Sequence, residues 1–491
     1  MSTVMSAVPS PVPAAPPRRR FRGSRLLAGA ALAGLLALAG TPSALAQTTA
    51  PQTTAPQSTG PQPPPALSGP VTLIHAGTLL AVPGEKPVTQ QTIVVRDGKV
   101  AEIRAGFAQP ADIQTPDAQV VDLRDAFVLP GLIDSHVHII FELGPDSQLR
   151  SVTDDPERSI LDGTVFAERT LMAGFTTVRD VGSSARTGVA LRDAIAAGKV
   201  RGPTLLVAGQ GLAVTAGHGD INGFNEKVTE ALSDSRINVC DGSDTCRQAV
   251  REQVRRGADL IKLSATGGVL SQIAAGTGQQ MFDDELRSIV ETAHLMGRKV
   301  AAHAHAADGI NAALRAGVDS VEHGSYLDDE SIRLFRQTGA YLVPTLLAGK
   351  TVVDMANRPG VMSPAVKRKA LTVGPMMQRN FARAAKAEVK IAFGTDSGVS
   401  AHGINAQEFK LMVEAGLSPM DAIRAATVNA ADLLGIADRA GSLEPGKDAD
   451  IIAVSGSPLE NVTALETVDF VMRRGAVHKM DGRRTPFEPK G

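Results

Sequence analysis

The sequence predicts an α/β protein, a (β/α)₈ TIM barrel with a small β-sandwich formed by the segments that flank it. Three observations lead there. Between residues 128 and 440, apolar strand-like runs alternate with helix-like segments rich in Ala, Arg, Glu and Leu. Eight such runs occur, at 128–138, 175–181, 204–208, 259–264, 299–305, 319–323, 340–345 and 390–396. Metal-capable side chains fall at the ends of several of them, where a barrel of this kind gathers its catalytic groups. A doubly wound open sheet is the rival, but no G-x-G-x-x-G follows the first strand.

The chain has 491 residues, 43% of them hydrophobic, enough to bury a large core. Its 50 Lys and Arg nearly cancel its 51 Asp and Glu, and beyond residue 30 no long basic run could form a nucleic-acid footprint. The expected partner is a small molecule or short peptide, not nucleic acid, and a homo-oligomer stays open.

Taken in order, the first element is a signal peptide, 1–46. Arg18-Arg19-Arg20-Phe21-Arg22 precedes an apolar run from Leu26 to Ala39, and Ala44-Leu45-Ala46 offers a small-residue cleavage site. Consecutive arginines before Phe also resemble a twin-arginine signal. The expectation is export, to a periplasm or the exterior, with no stable membrane span once the signal is removed. Residues 47–70 repeat Thr-Thr-Ala-Pro-Gln and read as a tether that cannot bury enough apolar surface to order itself.

Short alternating runs with Gly, Pro or Asp-Gly punctuation mark 71–127 as the N-terminal part of the β-sandwich. The same texture returns at 441–480, its C-terminal part, before a tail at 481–491. The barrel occupies 128–440. Two cysteines, Cys240 and Cys246, flank Asp-Gly-Ser-Asp-Thr. A local disulfide and two free thiols are both compatible with that spacing.

The barrel runs carry the chemistry. His136 and His138 close the first, and the period of two in a strand turns both imidazoles to one face. Lys262 lies in the fourth, His303 ends the fifth, His323 ends the sixth, and Asp396 ends the eighth. A single histidine at a strand end is ordinarily a satisfied polar residue, and a single lysine ordinarily snorkels to solvent. Six such residues on one rim of one barrel do not arise from independent accidents.

Gly131-Leu132-Ile133-Asp134-Ser135-His136-Val137-His138, together with Lys262, His303, His323 and Gly394-Thr395-Asp396-Ser397-Gly398, resembles the amidohydrolase superfamily over residues 71–480. Within it the sequence is similar to the imidazolonepropionase-like metal-dependent hydrolases, which include Xaa-Pro dipeptidases (prolidases) and ochratoxin-degrading amidohydrolases. The resemblance implies a binuclear centre: His136, His138 and Asp396 on one divalent cation, His303 and His323 on the second. Lys262, carboxylated by CO₂ to a carbamate, would bridge the two. Zinc suits this donor set, with manganese, cobalt and iron as alternatives.

Two cations sharing a water would lower its pKa and polarise a scissile carbonyl. Asp396 is the expected proton shuttle to the leaving amine. His305, in Ala302-His303-Ala304-His305, stands where relatives often carry a substrate-contacting Tyr. His218, in Ala-Gly-His-Gly-Asp, matches a histidine that faces substrate in the family and is the expected second catalytic residue, assisting carbonyl polarisation or orientation; His402, in Ser-Ala-His-Gly, is a further substrate-binding candidate.

The function implied is cleavage of dipeptides of Xaa-Pro type, or of N-acyl amino acids including ochratoxin-like amides. A cyclic amide hydrolase is the alternative. A deaminase normally places an acidic residue two or three positions after the fifth-strand histidine, where this chain has His305 and Ala306. A non-catalytic scaffold should lack ligands that are all present.

Overall fold

A computed structural model describes residues 70–183, 186–232, 236–271 and 276–490. The expected signal peptide, and the tether up to residue 69, lie outside the described residues. Among the described residues no helix is long and apolar enough to cross a membrane.

The chain enters through β1 (Val71–Leu79), β2 (Val88–Arg96), β3 (Lys99–Ala105) and β4 (Gln119–Pro130). Strands β2 and β3 pair Arg96 with Lys99 across a loop of only Asp97 and Gly98. Both residues have positive φ, 51° and 75°, as a type I′ turn requires. This is why Asp-Gly punctuates the sequence here.

Strand β4 leads almost directly into β5 (Leu132–Val137). The single run expected over 128–138 is therefore two strands in two sheets. Pro130 has no N–H to extend a ladder, and Gly131 passes so close to Thr176 that a Cβ would lie 2.2 Å from its Oγ1.

Strands β6 (Phe175–Asp180) and β7 (Thr204–Val207) join β5 in a parallel sheet, in the order β5-β6-β7. A second parallel sheet follows the order β11-β10-β9-β8, with β8 at Ile261–Ser264, β9 at Val300–Ala304, β10 at Ser320–His323 and β11 at Tyr341–Val343. Helices alternate with these strands, among them Pro156–Met172, Asp283–Leu295, Ala307–Ala316 and Asp329–Thr338. Apart from β7, every residue of these seven strands is buried, as expected for parallel strands covered on both faces.

An isolated bridge links Leu212, beyond β7, to Leu263 in β8. The eighth expected strand, 390–396, is not a regular strand. It is an extended segment between β11 and β5: Leu342 N donates to Lys390 O at 2.8 Å, Ser135 N to Phe393 O at 2.8 Å, and Asp396 N to His136 O at 2.7 Å. Asp396 has φ +58°, outside the β region, which interrupts any ladder at that point.

The chain ends in β12 (Ile451–Val454), β13 (Val468–Arg473), β14 (Ala476–Met480) and β15 (Arg483–Arg484). Two more two-residue hairpins occur here, Arg474-Gly475 and Asp481-Gly482, again with positive φ throughout. Gly475 packs on Gly98 so tightly that a Cβ on it would lie 2.8 Å from the Gly98 Cα.

Both ends of the chain share one eight-stranded sheet, in the order β15-β14-β13-β12-β4-β1-β2-β3. The two separate layers expected of a β-sandwich are not seen among the described residues. Ile74, Ile93, Val128, Ile451 and Phe470 belong to the apolar core of this sheet.

Candidate metal centre and active site

The ends of the parallel strands open into a cavity of about 370 Å³. His136, His138, Lys262, His303, His323 and Asp396 all line it, and so do His218 and His305. His402 does not line it. Its ring stacks on Phe166 with centroids 4.8 Å apart, and its Nε2 meets the Phe141 carbonyl oxygen at 2.8 Å.

Local backbone geometry explains how the cluster forms. In β10 the alternation of a strand sends Ser320 and Glu322 to the same side, where Ser320 Oγ donates to Glu322 Oε1 at 2.5 Å. Strict alternation would send His323 away from them, but His323 has φ +72° and lines the cavity instead. Thr345 at φ +52° and Asp396 at φ +58° are likewise left-handed. Three non-glycine residues in this region at one rim mark a site whose backbone is held by its surroundings at a local cost.

Each imidazole is aimed by what its other nitrogen meets. His136 Nδ1 lies 2.7 Å from Glu322 Oε2, His138 Nδ1 3.0 Å from Gly182 O, and His323 Nδ1 2.7 Å from Thr345 Oγ1. His305 Nδ1 is 2.6 Å from Ser325 Oγ, and His218 Nδ1 is 2.6 Å from Ser271 Oγ. His303 differs, because its Nε2 points to Gly267 O at 3.4 Å and its Nδ1 is the nitrogen left over. Ring centroids of His303 lie 4.2 Å from His218, 4.6 Å from His305 and 4.7 Å from His323.

The tightest group is His136, His323 and Asp396, whose ligand atoms all lie within 4.8 Å of one another. Asp396 Oδ1 is buried and has no hydrogen-bond partner, yet it stands 3.2 Å from His138 Nε2 and 3.5 Å from His136 Nε2. A buried carboxylate oxygen facing the Nε2 atoms of two imidazoles is an arrangement that a cation completes. The residues present therefore fit a metal ion.

Electrostatics point the same way. Burial, with the Lys262 charge nearby, pushes His136 down to about 4, and burial likewise pushes His218 to about 4 and His305 to about 3. Burial holds His303 and His323 well below the usual imidazole range. The ring nitrogens of these five are thus free of the extra proton that would block coordination, whereas at His138 burial acts downward but the Asp396 carboxylate outweighs it and holds the imidazole above its ordinary value. Burial also pushes the Lys262 amine down to about 8, and no described residue accepts a hydrogen bond from it. For Asp396, burial acts upward, but His136 and His138 outweigh it and hold the carboxyl below its ordinary value.

Several supporting residues go beyond the sequence reading. Glu322 joins His136 to Arg179, whose Nη2 donates to Glu322 Oε1 at 2.9 Å. Burial acts upward on Glu322, yet the Arg179 charge and the His136 hydrogen bond hold it at about 2. Asp134 accepts from His136 N at 3.1 Å, from Thr395 Oγ1 at 2.6 Å and from Asn405 Nδ2 at 2.8 Å, tying β5 to the Asp396 segment. Both Glu322, in Val-Glu-His-Gly, and Arg179, in Thr-Thr-Val-Arg-Asp, carried a signal: a charge inside an otherwise buried strand needs a partner.

The remaining wall is mixed. Arg236, Asp220, Gln210 and Asn238 stand on one side, and Val352, Val373 and Met377 are among the apolar residues elsewhere. Cys240 and Cys246 form a disulfide, which ties the Arg236–Asn238 segment to the start of helix Ser243–Arg255.

The Amidohydrolase family model matches residues 127–479. Ochratoxinase from Aspergillus niger is 33% identical over 440 residues, covering 84% of this chain and 87% of its own. Imidazolonepropionase from Rhizobium rhizogenes is 26% identical over 407 residues, covering 77% and 89%. A crystal structure of a Xaa-Pro dipeptidase with bound methionine in the active site is 40% identical with a TM-score of 0.79, covering 83% of this chain and all of the other.

Proposed function

The chain belongs to the amidohydrolase family, and from that premise we propose a binuclear, metal-dependent hydrolase of dipeptides, Xaa-Pro-like ones included, or of N-acyl amino acids such as ochratoxin-like amides. Hydrolysis of amide bonds is the coarse activity of its prolidase and ochratoxinase relatives. The observation that carries the finer reading is the convergence of His136, His138, His323 and an unpartnered Asp396 oxygen on one cavity. Its scaffold is read as a closed (β/α)₈ barrel, supported by the bridges Leu212–Leu263, Leu342–Ile391 and Val137–Ser397.

In this reading His136, His138 and Asp396 would hold one divalent cation and His303 and His323 the other, with Lys262, as a carbamate, contributing to both; zinc fits the donors. When bound, such a pair supplies Lewis acidity, lowering the pKa of water and polarising a carbonyl. Glu322 and Thr345 keep His136 and His323 in the tautomers that present their Nε2 atoms. Asp396 accepts the proton of the attacking water on its oxygen and passes it to the leaving amine nitrogen. His218, fixed through Ser271, orients the substrate carbonyl, and His305 stands beside it. The charged and apolar N-terminal features support export of the protein.

A panel of dipeptides, N-acyl amino acids, lactams and cyclic ureides, assayed with zinc, cobalt and manganese, tests this reading. Cleavage of linear amides with a free C-terminal carboxylate is expected. Turnover confined to the cyclic compounds would replace it with the imidazolonepropionase-like alternative, which the relative from Rhizobium rhizogenes favours.

A further inference from the structure

Among the described residues, and besides its histidines, the cavity is lined by two basic side chains, Lys262 and Arg236. Arg236 makes no hydrogen bond or ring contact with those histidines among the described residues, and its role is not accounted for by the metal centre.

Arg236 is held by a two-point fork: its Nε donates to Asp220 Oδ1 at 2.6 Å and its Nη2 to Asp220 Oδ2 at 2.7 Å. Asp220 is itself fixed, accepting from Ala216 N at 2.8 Å and Ile221 N at 2.7 Å, with a side chain only 4% exposed. One edge of the guanidinium is therefore committed. The other edge, Nη1 with the second Nη2 hydrogen, meets no acceptor among the described residues, and the side chain remains 27% exposed in the cavity wall. A planar guanidinium with a free edge matches a carboxylate in two-point geometry.

The frame around it is tied to the turn that carries His218. Asp220 lies in the same turn as His218, with Asp220 N donating to Gly217 O at 3.2 Å. Two residues beyond Arg236, Asn238 Nδ2 donates to Gly211 O at 2.8 Å and to Gly219 O at 3.0 Å. The disulfide anchors the same segment.

We propose that Arg236 is the specificity-determining residue, receiving the carboxylate of the amino acid that leaves as the amine. The inference rests on the amide-hydrolase reading above and names the group that selects its substrates. It places anion recognition on the guanidinium that Asp220 holds in place.

The test uses the full, zinc-loaded protein with Arg236→Met, which removes the charge, and Arg236→Lys, which keeps it but loses the fork. Turnover is compared for the best-cleaved dipeptide and its C-terminal carboxamide. In parallel, calorimetry compares binding of N-acetyl-L-phenylalanine with N-acetyl-L-phenylalaninamide. Arg236→Met should lower kcat/KM for the acid about 10- to 100-fold, mainly through KM, and leave the amide and the zinc content unchanged. Arg236→Lys should fall between. An acid-to-amide ratio unchanged in both variants, or an equal loss for acid and amide, overturns the proposal. If the wild type cleaves no linear amide, the amide-hydrolase reading fails by itself. The binding arm then decides: loss of acid preference in Arg236→Met upholds the role of Arg236, and unaltered preference overturns it.

Discussion

On one side of the cavity, His136 leans on Glu322, Glu322 on Arg179 and Ser320, and Asp134 on Thr395 and Asn405, all of them buried. On the other side, the wall consists of loops fastened at separate points. Arg236 is forked to Asp220, Lys369 Nζ donates to Gly268 O and Ser271 O at 2.8 and 2.6 Å, and a disulfide closes Cys240 to Cys246. The first wall is one connected polar network, in which removing a member leaves a buried charge unpaired. The second is a set of clasps that can be changed one at a time. On the function proposed above, the first would hold an ion in fixed geometry and the second would choose what comes next to it.

Substitutions in the network should therefore cost both chemistry and folding, and those in the clasps only selectivity. The largest effect is expected at Asp396. Asp396→Asn keeps the size of the side chain and removes its basicity, so kcat should fall about 10²- to 10⁴-fold while metal content, measured by elemental analysis, falls far less. Metal lost in proportion to activity would reduce Asp396 to a ligand alone. Lys262→Ala should lose most activity and metal together; an alanine variant with both metals and full turnover breaks the bridging role.

Next comes Glu322→Gln, which strands the buried Arg179 guanidinium. Denaturant unfolding should show a loss of about 3–5 kcal/mol, and metal titration a loss of about 10- to 100-fold in affinity. A fully stable variant would show that the two walls are not held differently. His303→Asn should deplete metal, whereas His305→Asn should leave it in place; the reverse outcome exchanges the two assignments on β9 and its end.

On the clasped side, Val352→Ala enlarges the apolar wall and should change relative kcat/KM among Xaa side chains by about 1–3 kcal/mol, without altering metal content.

The smallest effect is a slope with pH. Glu408 accepts from Leu346 N at 2.8 Å and Leu347 N at 2.6 Å at the start of helix Leu346–Ala356, just after the Thr345 that orients His323. Burial pushes Glu408 up to about 8 from 4.5. A carboxyl whose folded pKa is raised stabilises fully below its unfolded pKa and loses that contribution as pH rises towards the folded value. Glu408→Gln cannot titrate, so Tm of the variant relative to wild type should climb steadily from about pH 5 to about pH 8. A flat difference would show a carboxylate ionised throughout.

The legible part of the molecule follows this same division. His136, His138, Lys262, His303, His323 and Asp396 stand out in sequence because polar groups at the ends of apolar strands have few uses. Glu322 and Arg179 were equally visible, but a ligand pattern directs attention to first contacts and not to what steadies them. The run 128–138 looked continuous because hydrophobicity does not change at Pro130-Gly131, although the sheet does. The irregular 390–396 segment depends on the backbone of Asp396, which composition does not report. His402 in its Gly-flanked loop reads the same whether it faces the cavity or Phe166. Arg236 owes its place to Asp220 and to a disulfide, contacts that exist only once the loops have been assembled.

The shared sheet has a consequence for the order in which the protein can be made. Strands β1 to β4 leave the ribosome long before β12, yet β12 is what covers the open edge of β4, where Ile452 pairs with Leu129. Until that last portion is translated, the nascent chain carries an uncovered, apolar strand edge of the sort that recruits other chains. A stop codon between residues 397 and 451 would leave every proposed metal ligand encoded, and yet yield a polypeptide prone to aggregate.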